Sequence, residues 1–236
     1  MRVRAVRGSK RGMTSSSGAV LLDADGTLVD STYLHVSAWS QAFAQVGHPV
    51  DAWRVHRCIG MGSDKLLAEL LGDRADDVGG PAKDAHSEIY AGMSDRIRRF
   101  AGVHELLRAL RERGLTVVLS TSAPPDELAH IRRALDADDL FDAVTADEDV
   151  ESAKPDPDLV GTALKKAGVP ADRAVFVGDA VWDVEACRRA GVPCLGVRTG
   201  GIDSAELRDA GAVEVYRDVS DLLARLDDSA IGRLAG

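Results

Sequence analysis

Asparagine is absent from this 236-residue sequence, aromatic residues make up 4% of it, and there are only three cysteines. So few rings leave Ala, Val and Leu to fill the core, for which a 45% apolar content suffices. The length suits one large domain or a core with a smaller insertion. Cys58, Cys187 and Cys194 are odd in number and lack metal-ligand spacing. That excludes a disulfide framework and predicts free buried thiols in a reducing cytosol, hence a cytoplasmic protein. No apolar run approaches the ~20 residues of a membrane span, so no membrane partner is expected. Acids outnumber bases, giving a formal charge of −9, which argues against a nucleic-acid binder.

Acids are missing altogether from residues 1–17, which carry Arg2, Arg4, Arg7, Lys10 and Arg11 and end in a Thr-Ser-Ser-Ser run. Without apolar periodicity this stretch reads as a disordered leader. The alternative is a targeting or polyanion-binding arm. It has no apolar centre, which excludes a secretory signal. Met13 is an alternative start of translation.

What is present is an ordered alternation. Ala19-Val20-Leu21-Leu22 reads as a buried strand. From Ser31 to Phe100 helical periodicity takes over. Val36, Trp39, Ala42 and Phe43 share one face, and Leu66, Leu67, Leu70 and Leu71 another. Gly60-Met61-Gly62 and Gly79-Gly80-Pro81 are expected to break this stretch into separate helices. After Phe100, strands near 115–119, 141–144, 174–177, 193–197 and 213–215 alternate with helices near 103–113, 126–135, 158–167, 181–190, 204–210 and 220–226. Such alternation predicts an α/β fold, a doubly wound parallel sheet with an inserted helical unit. Ligands of such sheets bind beyond the carboxyl ends of the strands.

Four segments at or near those ends carry unusual polar residues. The first strand runs into Asp23-Ala24-Asp25-Gly26-Thr27-Leu28-Val29-Asp30. Residues two apart on an extended chain project to one side, so Asp23 and Asp25 can face one pocket. Two carboxylates ~4 Å apart repel by roughly 4 kcal/mol at an effective dielectric of about 20, which calls for a cation or a shared proton. The second segment, Ser120-Thr121-Ser122, offers hydroxyls and N–H groups that suit a phosphate oxygen, although a helix N-cap would look the same. The third holds Lys154 between Ala153 and Pro155-Asp156-Pro157, where a stiffened backbone can aim the ammonium at an anion. The fourth is Gly178-Asp179-Ala180-Val181-Trp182-Asp183, with Asp183 one helical turn beyond Asp179. Trp182 reads as packing. Carboxylates of this kind suit Mg²⁺.

In this order the segments resemble the four motifs of the haloacid dehalogenase (HAD) superfamily, over nearly everything after residue 18. The inserted stretch resembles the helical C1-type cap of the phosphoglycolate phosphatase and β-phosphoglucomutase branch. The resemblance implies a Rossmann-like core of residues 18–30 and 101–236 and a cap of residues 31–100. It implies that Asp23 attacks phosphorus and that Asp25 is the general acid and base. Mg²⁺ would sit on the Asp23 carboxylate, the Asp25 backbone carbonyl and Asp179, with Asp183 in support through water. Thr121, Ser122 and Lys154 would hold the phosphoryl oxygens. The family's frequent Gly-Asp-Ser is Gly-Asp-Ala here, which removes one hydroxyl near the metal.

His35 lies where the mutase branch carries a cap histidine that approaches the site; a packed or surface histidine is the alternative. Ser63 aligns with an arginine of that branch. Arg54, Arg57 and Lys65 are candidates for an anionic substrate or for a solvated cap surface. The expected partner is a small phosphate ester, turned over by a monomer or homodimer. The leading expectation is a Mg²⁺-dependent phosphatase acting on a phosphoglycolate-like acid or a sugar phosphate through an aspartyl phosphate. The alternatives are a phosphomutase and a non-catalytic phosphate-sensing or scaffold module.

Overall fold

The computed structural model describes residues 18–150 and 152–234. The expected leader, residues 1–17, lies outside the described residues. The chain enters through strand β1 (Ala19–Leu22) and a two-residue strand β2 (Val29–Asp30). Four helices follow: α1 (Thr32–Gln45), α2 (Ala52–Cys58), α3 (Ser63–Leu71) and α4 (Ala75–Ala91). Strand β3 (Arg98–Arg99) pairs antiparallel with β2, so the helical excursion leaves and returns at one place. Then come α5 (Val103–Glu112), β4 (Thr116–Ser120), α6 (Pro125–Leu135), β5 (Ala143–Thr145) and α7 (Asp158–Ala167). The chain continues through β6 (Ala174–Gly178), α8 (Val181–Ala190), β7 (Cys194–Val197) and α9 (Ser204–Ala210). It closes with β8 (Glu214–Tyr216), α10 (Val219–Ala224) and α11 (Ala230–Leu234).

The six longer strands make one sheet in the order β5-β4-β1-β6-β7-β8, every pair parallel. Winding starts at the centre, fills one side with β4 and β5, and then fills the other. The crevice of a doubly wound sheet therefore opens at the carboxyl end of β1, between β4 and β6. All four β1 side chains are buried because helices cover both faces. Val20 and Leu22 join a cluster with Leu106, Leu107 and Leu110 of α5. Ala19 and Leu21 join another with Val160 and Ala163 of α7 and Val184 of α8. The period of two along the strand thus sorts its side chains between two layers.

Helices α1–α4 have a third cluster, in which Trp39, Phe43, Leu66, Leu67, Leu70 and Leu71 meet. The apolar faces expected for α1 and α3 are buried. The break expected at Gly79-Gly80-Pro81 is absent: α4 runs through it with Pro81 inside. Packing overrides the local signal. Gly79, Ala82, His86 and Tyr90 recur at helical spacing as the buried face of α4, and Gly79 faces Leu67 and Leu71 of α3. The sequence also gave no sign of α11, a short helix beyond the expected last one. All three cysteines are buried free thiols, as expected. No helix among the described residues is long and apolar enough to cross a membrane.

Gly80 is exposed in the middle of α4, and a Cβ there would meet nothing within 4 Å. Gly80→Ala should therefore raise the stability by about 0.5–1 kcal/mol through the entropy of the unfolded chain. Urea denaturation checks this; a lower midpoint would mean that the helix is not continuous at this point.

Candidate active site

The carboxyl end of β1 delivers Asp23 into the crevice, and its N–H bonds to the Val177 carbonyl of β6 at 3.0 Å. Lys154, in the loop before α7, reaches back to it: Nζ lies 2.5 Å from Asp23 Oδ1 and 2.6 Å from Asp183 Oδ1. Asp179 leaves the end of β6. Carboxylate oxygens of Asp23, Asp179 and Asp183 all lie within 4.8 Å of one another, and all three residues are buried. The Thr27 hydroxyl stands between two of them, 3.0 Å from Asp179 Oδ1 and 3.3 Å from Asp23 Oδ2.

Three ionised carboxylates beside one ammonium leave two surplus negative charges in a buried space. Burial accordingly pushes Asp23 up to about 7, with the Asp183 charge adding to it and Lys154 opposing. Burial, then the charges of Asp23 and Asp183, hold Asp179 well above the usual carboxylate range. Lys154 is the reverse case. Burial lowers it, but the two carboxylates outweigh this and keep it charged. An all-oxygen, acid-rich donor set of this kind suits a hard divalent cation such as Mg²⁺.

The Asp25 carboxylate stands apart from this trio. Its Oδ1 accepts from Ser31 Oγ at 2.5 Å and faces His35 Nε2 at 3.4 Å. Burial raises Asp25, but its bonds to His35 and Ser31 outweigh this and hold it below its ordinary value. Burial likewise lowers His35, and Asp25 more than restores it. On its other side His35 Nδ1 lies 3.2 Å from His86 Nε2 of α4, and the ring stacks on Tyr90 at 3.9 Å. Burial drives His86 down to about 3, so it is the neutral member of the pair. His35 is thus a packed histidine that also approaches the site.

Asp23, Asp25, His35, Thr121, Ser122, Lys154 and Asp179 line one cavity of about 100 Å³. The Thr121 hydroxyl accepts the Ala123 N–H at 3.1 Å, which leaves its own proton free to donate. Ser122 Oγ is buried without a hydrogen-bond partner. Asp183 sits behind the cavity. It makes a direct ion pair with Lys154 and accepts a bond from the Ala180 N–H at 3.0 Å. Of the cap candidates Ser63 lines the cavity and the three cations do not. Arg57 pairs with Glu206, Lys65 with Asp156 at 2.6 Å, and Arg54 is exposed.

Residues 18–191 match the family model of haloacid dehalogenase-like hydrolases. The chain belongs to this family. Among curated HAD relatives, the phosphoglycolate phosphatase of Escherichia coli K12 is 32% identical over 233 residues, covering 88% of this chain and 91% of that one. The phosphorylated carbohydrates phosphatase of Thermotoga maritima is 28% identical over 203 residues, covering 84% of this chain and 94% of that one. Among solved structures, a hydrolase from Pseudomonas syringae superposes with a TM-score of 0.85 at 36% identity, covering 90% of this chain and 99% of that one.

The sequence left unread several residues that shape this HAD site. Thr27 was visible only as part of a motif. Gly200 was not singled out, yet a Cβ there, or at Gly26, would collide with Asp179 Oδ2. The two glycines leave a cradle around the acid that only hydrogen side chains keep open. His86 is one polar residue on an amphipathic helix, and no periodicity distinguishes it from a buried structural histidine. Trp182 packs as expected, but on the helical insertion: its Nε1 donates to the Arg57 carbonyl at 3.0 Å. Ala180, the departure from the family pattern, lies against Gly60, where an added Cβ would come within 2.8 Å of it.

In chelator, the thermal midpoint should fall as the pH rises from about 6 to about 8. Asp23 and Asp179 have folded values above their unfolded ones, so the fold holds protons that the unfolded chain has released. That stability is present at low pH and lost as the pH rises through about 7. Added Mg²⁺ should flatten the profile. A midpoint that climbs over this range without metal would contradict the crowding of charge described here.

Proposed function

We propose that this HAD-family phosphatase hydrolyses phosphomonoesters of small metabolites, a phosphoglycolate-like acid or a sugar phosphate, with Asp23 carrying the phosphoryl group. The observation behind this reading is the single cavity that brings Asp23 and Asp25 together with the donors Thr121, Ser122 and Lys154. The names of the E. coli and T. maritima relatives support both substrate classes. Residues 31–100 serve as a cap over a core of residues 18–30 and 101–236.

In the first step a carboxylate oxygen of Asp23 forms a bond to phosphorus, and the ester P–O bond breaks. Asp25 gives a proton to the departing oxygen. Because Asp25 is held below its ordinary value, it rests as a carboxylate; His35 holds a proton at Nε2 against Asp25 Oδ1 and can load it. In the second step Asp25 takes a proton from water, whose oxygen attacks phosphorus. The Asp23–phosphorus bond breaks, inorganic phosphate leaves and Asp23 is restored. Lys154, the Thr121 hydroxyl and Ser122 hold the transferring oxygens, and Lys154 also fixes the Asp23 carboxylate. Asp23, the Asp25 backbone carbonyl and Asp179 would hold Mg²⁺, and Asp183 is near enough to contribute. Bound there, the cation supplies positive charge to the phosphoryl oxygens. Ser63 in place of a cationic residue disfavours the phosphomutase reading, in which a second anionic group must be gripped.

Release of inorganic phosphate from metabolite esters should require Mg²⁺ and stop in excess chelator. Asp23→Asn should form no phosphoenzyme. Asp25→Asn should lose roughly 10²–10⁴-fold on alkyl esters, yet still become phosphorylated from an aryl phosphate, whose leaving group needs no proton, and then stall. Rapid quench and mass spectrometry locate the label. Label on any residue other than Asp23, or full turnover in chelator, would overturn the proposal.

A further inference from the structure

The cavity over Asp23 is small. About 100 Å³ holds little beyond the phosphoryl group, whereas small-molecule sites commonly run from about 300 Å³ upward. A neighbouring cleft of about 290 Å³ lies between the end of α4 and the start of α6. The two share Ser87, Pro124 and Glu127, so Glu127 stands at their junction. Together they reach the range of a site for a metabolite with its leaving group.

The chemistry of this second cleft is one-sided. Tyr90, Ala91, Pro124 and Pro125 give it apolar walls, its acids are Asp126 and Glu127, and Ser87 and His130 are its other polar residues. Among the described residues no Lys or Arg lines it. Of the two lysines of the first cavity, Lys154 is held by Asp23 and Asp183, and Lys83 is half-exposed in a surface pair with Asp64 at 2.9 Å. The Glu127 side chain is 12% exposed and its Oε1 lies 3.7 Å from His86 Nδ1. His86 is fixed in turn by its contact with His35 and by stacking on Trp39 at 4.1 Å. A carboxylate carried on this packed array is a stationary acceptor. It favours hydroxyl or ammonium donors and repels a second carboxylate.

We infer that the cleft between α4 and α6 is the leaving-group subsite, and that Glu127 selects phosphate esters of hydroxylated, uncharged leaving groups over those of carboxylated ones. This rests on the phosphatase reading above and chooses between its two substrate classes. The phosphoryl group lies over Asp23, the ester oxygen faces Asp25, and the polyol passes Glu127 into the cleft. Glu127 is a specificity residue. It takes no proton from the reacting atoms.

The test measures phosphate release with Mg²⁺ from 2-phosphoglycolate, glycerol 3-phosphate, sorbitol 6-phosphate and para-nitrophenyl phosphate. The wild-type chain should favour the polyol esters over 2-phosphoglycolate by roughly tenfold or more in kcat/KM. Glu127→Gln should shrink that ratio by raising KM for the polyols and lowering it for 2-phosphoglycolate. A merely structural role would move all esters in proportion. Ala91→Trp, at an exposed position on the cleft wall, should raise KM for sorbitol 6-phosphate more than for the shorter glycerol 3-phosphate. Preference for 2-phosphoglycolate, or proportional losses in both variants, would overturn the subsite while leaving the phosphatase reading intact. Turnover of no ester, the aryl phosphate included, would overturn both.

Discussion

Lys154 Nζ lies 2.5 Å from Asp23 and 2.6 Å from Asp183, and all three side chains are buried. This contact joins the end of β1, the loop before α7 and the first turn of α8, which are far apart in sequence. Each ion alone would be costly to bury, by several kcal/mol after relaxation. Together they are tolerated because the ammonium lies against both carboxylates, and these have further donors: Asp183 also takes the Ala180 N–H, and Asp23 faces the Thr27 hydroxyl. The arrangement still leaves the pocket short of positive charge. That shortage makes it receptive to a divalent cation and ties the stability of the fold to the chemistry of its site.

The sheet explains why these groups meet. A parallel sheet wound outward from β1 puts the carboxyl ends of β1, β4 and β6 side by side. Asp23, Thr121, Ser122 and Asp179 then come from the short turns after these strands, and Lys154 reaches them from the longer connection between β5 and α7. β1 itself contributes nothing but apolar packing up to Leu22, and the chain turns polar at the next residue. The change from core to site takes place over one peptide bond, so the position of Asp23 is as rigid as the sheet. The glycines at 26 and 200 serve the same end, by keeping side chains out of the space that Asp179 needs.

Much of this was legible in the sequence because the signals were of two strong kinds. Short apolar runs bounded by polar turns gave β1 and β6 nearly to the residue, and α7, α8 and α9 to their ends. Aspartates placed directly after such runs marked the site. What stayed hidden depends on tertiary contact. Gly79-Gly80-Pro81 reads as a break by local propensity, and only the packing of α4 on α3 keeps the helix going. Arg57 and Lys65 read as loose cap cations, and their partners Glu206 and Asp156 lie 149 and 91 residues away. Glu127 looks like an ordinary acid in the first turn of a helix, where it suits the dipole. Its place beside His86 follows from how α4 and α6 come together, and no pattern along the chain encodes that.

The contacts that hold the helical insertion over the crevice differ in kind from those below it. Beneath, the ions are buried and mutually dependent. Above, Arg57–Glu206 and Lys65–Asp156 are pairs at least a third exposed, of a class worth about 0–1 kcal/mol each. Single bonds accompany them, among them Trp182 Nε1 to the Arg57 carbonyl, Lys65 Nζ to the Ala153 carbonyl at 2.6 Å and His56 Nε2 to the Gly200 carbonyl at 2.8 Å. The last of these touches the same loop whose glycine keeps Asp179 clear. The apolar contacts are not divided in this way: Leu34 and Ala38 of α1, Tyr90 of α4 and Ile97 belong to the same cluster as Val20 and Leu22 of β1, while Trp39, Phe43 and the leucines of α3 form a cluster of their own. The helices of the insertion are thus joined to the sheet layers by a shared apolar seam, with exposed ion pairs that add little.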